Sequence, residues 1–544
     1  MFKKINVRII IIHLISVLVG LALVFLSSFL IVTYSAIIFA FLGNFLKGFT
    51  SIWALVIVFI LGIFVILNFL PESSIFNTFN LWAGYKRTLI KKRFFRSFNK
   101  YKYEKIEPDF KPLVKNFLPF FVGFILLCVF SSLAINFVTG KIISRKIKEM
   151  KRKGYPTRFS DFHRDIAEEQ NAAEALNNIS ILASAELKTF FEDGLNYEKK
   201  LDALLTNKKW DATKKKQAEI ILSKCSYIFN KTELILKKYK YYQYVDYKKA
   251  EKYPFEVKFP QSIFPLRNLF LFRAKYNFKI GNYNLFWKDI KNVAKLKDLI
   301  SQDKSLIRQM TSLSIISKIC EVILNAMKEK PELVCSQDVL DELLKARKQN
   351  FAFDALKFET VKNMEELKYL ARGDMTIEGL GFKIFFIPTG ILNLNLIAVI
   401  DYQTKLLSFH SLSPITIKEK GKVLDDEMKK KPAFPFIWYI IPPSYLHNFY
   451  LSEAKTDTDV QILAVATAIR KYRMLNKKYP QKLSELAPKH LTSELIVDQF
   501  SEKELVYKLT KSGFLLYSIG RNFKDDNGTF GYYKLNNDIG VLMN

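Results

Sequence analysis

The sequence predicts a mainly α-helical protein, with about three N-terminal transmembrane helices, an irregular helical-hairpin domain and a small C-terminal α+β module. Three observations predict this. Uncharged apolar runs open the chain, helical periodicity with few strand signals fills residues 141–375, and two strand-like runs joined by a glycine-containing turn follow residue 504. At 544 residues the chain is too long for one small core, and 15% aromatic with 49% hydrophobic residues exclude a disordered chain. The expected division is 1–72 (two spans), 73–115 (a basic loop), 116–140 (a third span), 141–453 (the helical domain) and 454–544 (the α+β module).

The first run, Ile9 to Leu42, carries no charge and exceeds the roughly 20 residues that cross a bilayer. Ser51 to Leu70 is the second run and Asn116 to Gly140 the third. The first is too long for a cleavable signal peptide, and no small-residue cleavage site follows it. Residues 1–140 hold 15 Lys/Arg against 4 Asp/Glu. Eleven of those basic residues lie between Pro71 and Lys115, whereas only Lys47 lies between the first two runs. That bias places the N-terminus and the 71–115 loop in the cytoplasm and everything after Gly140 outside, in a multi-pass protein of a bacterial inner membrane. Seven basic residues between Lys141 and Lys153 argue the other way and are outnumbered. Gly379–Ile400 and Ala433–Leu451 are also apolar. They contain Lys383, Asn393 and Asn395, and Pro442-Pro443, so they are expected to be buried segments of the soluble part, with spanning as the alternative.

In the middle of the chain, helices are expected at Ile166–Phe191, Lys214–Lys238, Leu266–Lys279, Tyr283–Ile300, Lys304–Lys328, Ser336–Lys348 and Phe353–Arg372. Cys320 falls on an apolar helical stripe and reads as a buried small hydrophobe, and the four cysteines form no CxxC pair. Around Gly281-Asn282, a helix containing Ala274 and one with the stripe Phe286, Ile290, Val293, Leu296 and Ile300 resemble a single tetratricopeptide-type (TPR-like) hairpin. No 34-residue period repeats, so a regular solenoid is not expected. Between Lys237 and Lys252, tyrosines interleave with lysines. That pattern suits base stacking, but an extracytoplasmic domain seldom meets nucleic acid, so none is expected. A lysine-rich face, or contact with anionic lipid headgroups, is preferred.

The C-terminal module begins with Thr458 and Gln461 as a capping box for an amphipathic helix from Asp459 to Asn476. Its apolar face is Ile462, Val465, Ala466, Ile469 and Tyr472, with Arg470 and Lys471 outside it. Lys477-Lys478-Tyr479-Pro480 stop it, Leu483 and Leu486 anchor a brief helix, and Leu505–Leu509 with Phe514–Ile519 form a hairpin. The order Tyr479-Pro480, Leu483/Leu486, Asp498-Gln499-Phe500, Tyr507, Tyr517-Ser518-Ile519-Gly520 and Asp525-Asp526 resembles the globular end of type II secretion pseudopilins. It covers about 80 residues and departs in Gln499, where the family has Pro, and in lacking the family's N-terminal processing site. Over residues 141–544 the chain also resembles a group of membrane-anchored proteins of Planctomycetes and related bacteria. The shared residues are Gly154-Tyr155-Pro156, Glu168-Glu169-Gln170-Asn171-Ala172-Ala173, Tyr472-Arg473 and Tyr479-Pro480. That group has no assigned activity to carry over.

In pseudopilins the equivalent acidic loop binds calcium, so the resemblance implies Asp525, Asp526 and Asp538 as ligands. Asp-Asp-Asn-Gly is also an ordinary turn, and no other cofactor is implied. No HExxH, GxSxG, P-loop or GxGxxG occurs. Asp425-Asp426-Glu427 reads as solvated charge, Glu365-Glu366 as surface, and Glu168-Glu169 as helix initiation. The expectation is a non-enzymatic, membrane-anchored envelope protein presenting its outer domain to protein partners. A secretion or transport component is the first alternative, although the three spans hold no internal charge, and an envelope enzyme without a recognisable motif is the second.

Overall fold

The computed structural model describes residues 111–191, 197–205, 210–256, 262–371, 389–430, 446–530 and 538–543. The first two expected spans and the basic loop up to residue 110 lie outside them, as do residues 379–388 and 433–445 of the two later apolar stretches. The chain divides into two compact units, residues 1–138 with 388–391, and residues 139–387 with 392–544.

Helix follows helix because apolar residues recur at helical spacing and Pro, Gly or Asx residues punctuate the runs. α1 (Lys111–Arg152) is one helix of 42 residues. In the second unit, α2 (Ala173–Phe190) follows a 3-10 turn at Glu168–Gln170. Next come α3 (Tyr197–Leu205), α4 (Ala212–Lys224), α5 (Ser226–Lys238) and the short α6 (Tyr247–Lys252). α4 and α5 correct the single expected helix Lys214–Lys238, which is interrupted at Cys225.

α7 (Phe264–Lys279) and α8 (Tyr283–Ile300) are the expected hairpin. Gly281 takes a positive φ of 82°, which a β-carbon would penalise. The Asn282 side chain caps α8 by accepting from the Leu285 N–H at 3.3 Å. Ala274 and the whole α8 stripe, Phe286, Ile290, Val293, Leu296 and Ile300, are buried. α9 (Leu306–Glu329) packs against α8 and is mostly buried, Cys320 included. Among the described residues it is long and apolar enough to cross a membrane, but its core position explains that composition.

α10 (Gln337–Ala346), α11 (Phe351–Ala371), α12 (Thr389–Leu407) and α13 (Pro414–Lys430) lead to α14 (His447–Asn476). In α12, Leu396, Val399 and Ile400 are buried in a cluster with Ile143, Met150, Met364 and Leu367. Leu396, Val399 and Ile400 of that apolar stretch, and Phe449-Tyr450-Leu451 of the next in α14, are core residues of the second unit.

α14 is the axis of the second unit, touching α9, α11, α13 and the sheet. It corrects the expected capping box, because it starts at His447 and leaves Thr458 inside it, fully buried, donating to the Ala454 carbonyl at 2.9 Å. Gln461 donates instead to the carbonyls of Leu495 (2.9 Å) and Val497 (2.7 Å). Residues 452–458 are mostly polar yet helical. Ser452 and Thr456 satisfy their hydroxyls on carbonyls four residues back, and Lys455 pairs with Asp459. The expected boundary at 453/454 falls within this helix. Lys477 ends it in the left-handed region at φ 59°.

A three-stranded antiparallel sheet covers the end of α14, with order β1 (Val506–Leu509), β2 (Phe514–Ser518), β3 (Ile539–Met543). Leu509 pairs with Phe514, and Phe514 pairs with Met543. β3 was not expected. It carries Gly540 opposite Tyr517, where an added Cβ would lie 2.7 Å from Tyr517 Cα and collide with the Leu516 carbonyl. Only glycine fits there.

Candidate functional site

The residues of the expected module are brought together around one buried carboxylate. Asp498 is 1% exposed and sits where the chain turns from α14's end towards β1. It accepts from Phe500 N (3.0 Å), Ser501 Oγ (2.9 Å), Ser518 Oγ (2.6 Å) and Ile519 N (3.2 Å). One acidic side chain thus ties its own turn to the end of β2. The Tyr507 hydroxyl donates to the Pro480 carbonyl at 2.9 Å, and Phe514 packs edge-on to Tyr479, so the Tyr-Pro stop is fastened to the same sheet. Leu483 and Leu486, in a short 3-10 turn, are buried beneath.

The acidic loop closes on the same end of β2, at Tyr517. Asp525 Oδ1 accepts from the Tyr517 hydroxyl (3.1 Å) and from Asn527 N (2.8 Å), and Asp526 Oδ2 accepts from Asn522 Nδ2 (2.7 Å). Asp538 accepts from Asp526 N (3.1 Å) and Gly528 N (2.7 Å), one on each oxygen. Burial raises the Asp538 carboxyl above its ordinary value, against the lowering effect of those two N–H groups. Burial, with the hydrogen bond to Asp525, pushes the Tyr517 phenol up to about 12. Asp538 is thus tied to the 525–528 turn through backbone N–H groups, and both of its oxygens accept hydrogen bonds there. Among the described residues, no three His, Cys, Asp or Glu side chains are grouped to hold a metal ion.

The Asn171 pattern has a structural use. Asn171 Nδ2 donates to the Gln243 carbonyl (2.8 Å), and its Oδ1 accepts from Gln243 N (3.0 Å) and Ala173 N (3.1 Å). Arg164 donates to the Tyr242 carbonyl and to Gln302 Oε1. These contacts hold the Tyr/Lys-rich stretch flat against the core, with Tyr242 and Tyr247 buried and thus withdrawn from any stacking surface.

Three further groups carry no readable sequence motif. Asp425 is buried, which corrects its reading as solvated charge. Its Oδ1 accepts from the Tyr402 hydroxyl (3.3 Å), and its Oδ2 lies 3.6 Å from His447 Nδ1. Burial lowers the His447 pKa, with Asp425 opposing the shift. Gly421 lies against that imidazole, since an added Cβ would stand 2.5 Å from His447 Cδ2. The second group is Glu453 and Asp457, one turn apart on α14. Burial pushes Glu453 up to about 8 although it accepts from Ala352 N (3.2 Å) at the start of α11. It pushes Asp457 up to about 7 against the nearby Arg347.

Glu365 and Glu366 form the third. Both are buried, correcting their expected surface position, and they pair with Lys368 and Lys362. Glu365, with Lys248, Glu251 and Lys252, lines a depression of about 380 Å³ whose charges are evenly mixed. Arg470 is likewise buried rather than outside the apolar face of α14. It donates to the Lys330 (2.9 Å) and Leu333 (3.1 Å) carbonyls.

Comparison with known proteins finds no family model, no curated protein and no solved structure that matches this chain.

Proposed function

We propose that this chain is a membrane-anchored envelope protein, without catalytic activity of its own, that presents a helical domain and a pseudopilin-like α+β module to other proteins. The observation that carries this reading is α1. Its uncharged part, Asn116 to Gly140, is about 37 Å long as a helix, enough for a bilayer core. Phe130, Leu133 and Phe137 on it are 65%, 59% and 65% exposed. Large apolar side chains left uncovered along a helix suit lipid and are costly in water. Ile143 and Met150 of the same helix are core residues of the second unit, so the reading makes anchor and domain one continuous element.

The two preceding uncharged runs add spans, and the Lys/Arg bias favours an extracytoplasmic C-terminal domain. The pseudopilin-like reading is supported by the order of helix, Tyr-Pro stop and meander, and by the link from Asp498 to Ser518. The TPR-like reading is supported by the α7–α8 hairpin turning at Gly281-Asn282. Reporter fusions after residues 100 and 200 test the topology. An extracytoplasmic signal at 200 with a cytoplasmic one at 100 is expected, and a cytoplasmic signal at 200 would defeat the surface-domain reading.

A further inference from the structure

α4 and α5 keep a single helical register across Cys225. Cys225 N donates to the Ile221 carbonyl and Phe229 N to the Cys225 carbonyl, each four residues back. Their buried residues, Ala218, Ile221, Cys225, Ile228, Thr232 and Leu236, recur every three or four positions and form one stripe on the core. The opposite face carries a second stripe at the same spacing. Ile220, Tyr227 and Leu234 stand seven residues apart and are 45%, 55% and 60% exposed. Between and beyond them, at steps of three or four, come Lys216, Lys224, Lys231 and Lys238, all exposed. A polar face would satisfy the fold, so three large apolar side chains in regular alternation with lysine need another cause.

The charge is equally one-sided. Residues 212–238 hold seven lysines against Glu219 and Glu233. Glu233 is engaged by Arg273 and Lys288, and Glu219 by the Tyr276 hydroxyl and, at 4.0 Å, by Lys215. Among the described residues, Lys216, Lys224, Lys231 and Lys238 have no carboxylate within ion-pair distance. The Lys231 ammonium instead lies 5.7 Å from the Tyr227 ring centre.

We propose that this face of α4–α5 docks on an anionic lipid surface. Ile220, Tyr227 and Leu234 enter the headgroup boundary, and the lysines lie along their own stems to reach the phosphates. A stripe in which every apolar residue is flanked by cations one turn away suits a surface that is apolar below and anionic above. An acidic protein helix would match the lysines but would need its own apolar ridge in the same register. The inference rests on the membrane-anchored reading, under which a tethered domain meets a bilayer at high effective concentration.

The test uses the full chain with a nitroxide label at Asn230→Cys, an exposed position beside Lys231, and a control label at Thr510→Cys in the β1–β2 turn. The chain is incorporated in phosphatidylcholine vesicles with or without about 30% phosphatidylglycerol. The Asn230 label is expected to lose access to a water-soluble nickel complex by about threefold or more in the anionic vesicles only, and to regain it at about 0.5 M salt. The Thr510 label is expected not to respond. Charge reversal at Lys216, Lys224 and Lys231 together (K216E/K224E/K231E) should abolish the response while leaving helicity and the thermal midpoint unchanged, because all three side chains are exposed.

A chain that floats with both vesicle types but shows no composition-dependent protection overturns the docking face and leaves the anchor intact. So does protection that survives charge reversal. Failure to float with either vesicle overturns both readings. Equal protection by soluble polyglutamate or single-stranded DNA, with neutral vesicles, overturns the lipid assignment in favour of an acidic protein or a nucleic acid.

Discussion

Removing the Asp498 carboxylate is expected to unfasten the C-terminal sheet from the rest of the protein. Four donors converge on this one side chain: two backbone N–H groups, of Phe500 and Ile519, and the hydroxyls of Ser501 and Ser518. A hydrogen bond to a charged group contributes about 1.5–3 kcal/mol net, and a buried donor left without an acceptor costs about 1–3 kcal/mol. The two hydroxyls can rotate to other acceptors, but the N–H groups cannot. Counting them alone, with partial relief by water entering the cavity, Asp498→Ala is expected to cost about 3–5 kcal/mol. Asp498→Asn keeps one acceptor oxygen but turns an amide NH2 toward a donor, so about 2 kcal/mol is expected. Ser501→Ala, which loses one exposed-side contact, should cost about 1 kcal/mol.

The assay is native-state hydrogen exchange on the full chain, read in the peptides covering β2 and β3. The sheet rests on α14 and, through β3, on α9, so a loss of this size should appear as local opening while α7 and α8 stay protected. The reasoning is refuted if Asp498→Ala leaves protection in 514–518 and 539–543 within about 0.5 kcal/mol of the original, or if all helices lose protection together.

The remaining predictions concern the other buried groups. Glu453 has its folded-state pKa raised from 4.5 to about 8 and Asp457 from 3.8 to about 7, both chiefly by burial. Between those limits the folded chain holds protons that the unfolded chain has released, so these groups stabilise fully at low pH and that contribution is lost as pH rises through 7 to 8. Glu453→Gln should therefore flatten the fall of thermal midpoint between pH 5 and 8 and leave the variant more stable at pH 8, and parallel midpoint profiles would contradict this. Gly540→Ala forces a Cβ to within 2.7 Å of Tyr517 Cα on the facing strand, and is expected to break β2–β3 pairing at a cost of about 2 kcal/mol or more, read as lost exchange protection in 539–543. Both oxygens of Asp538 already accept loop N–H groups. Calorimetric titration with calcium is thus expected to yield no saturable heat that the Asp525/Asp526 double alanine removes, and a heat that does vanish in that variant would establish the loop as an ion site.

What could be read in advance was whatever repeats along the chain. α8 runs over the expected residues because its apolar stripe, the Asn282 cap and the Gly281 turn all report the same boundary. α14 was half read because residues 452–458 satisfy polar side chains inside the helix, and nothing in composition separates back-bonded Ser452 and Thr456 from a loop. β3 was missed for a similar reason. A five-residue strand with a glycine has no periodicity to show, and its need for Gly540 comes from the facing strand. At the site, Asp498 was legible as a turn residue, but the four donors it gathers come from positions up to 21 residues away from it.

The unread groups share one cause. Asp425, Glu453, Asp457, Glu366 and Arg470 were expected on polar surfaces or passed over, because the sequence surrounds them with lysines and other acids. In the structure they turn inward, onto the axis helix or the elements packed against it, while their lysine neighbours turn out. Arg470 is buried, but Lys471 beside it reaches Gln337 at the surface. Bases turn inward as well: Arg267, Lys297, Arg308 and Lys318 are buried alongside Arg470. In residues 141–544 the 68 basic residues outnumber the 48 acidic ones. That excess makes the outer field of this region positive. On the α4–α5 face Glu233 pairs with Arg273 and Lys288, and Glu219 accepts from Tyr276 and faces Lys215, which leaves Lys216, Lys224 and Lys231 around Tyr227. This is the physical reason to look for an anionic surface there rather than anywhere else on a basic protein.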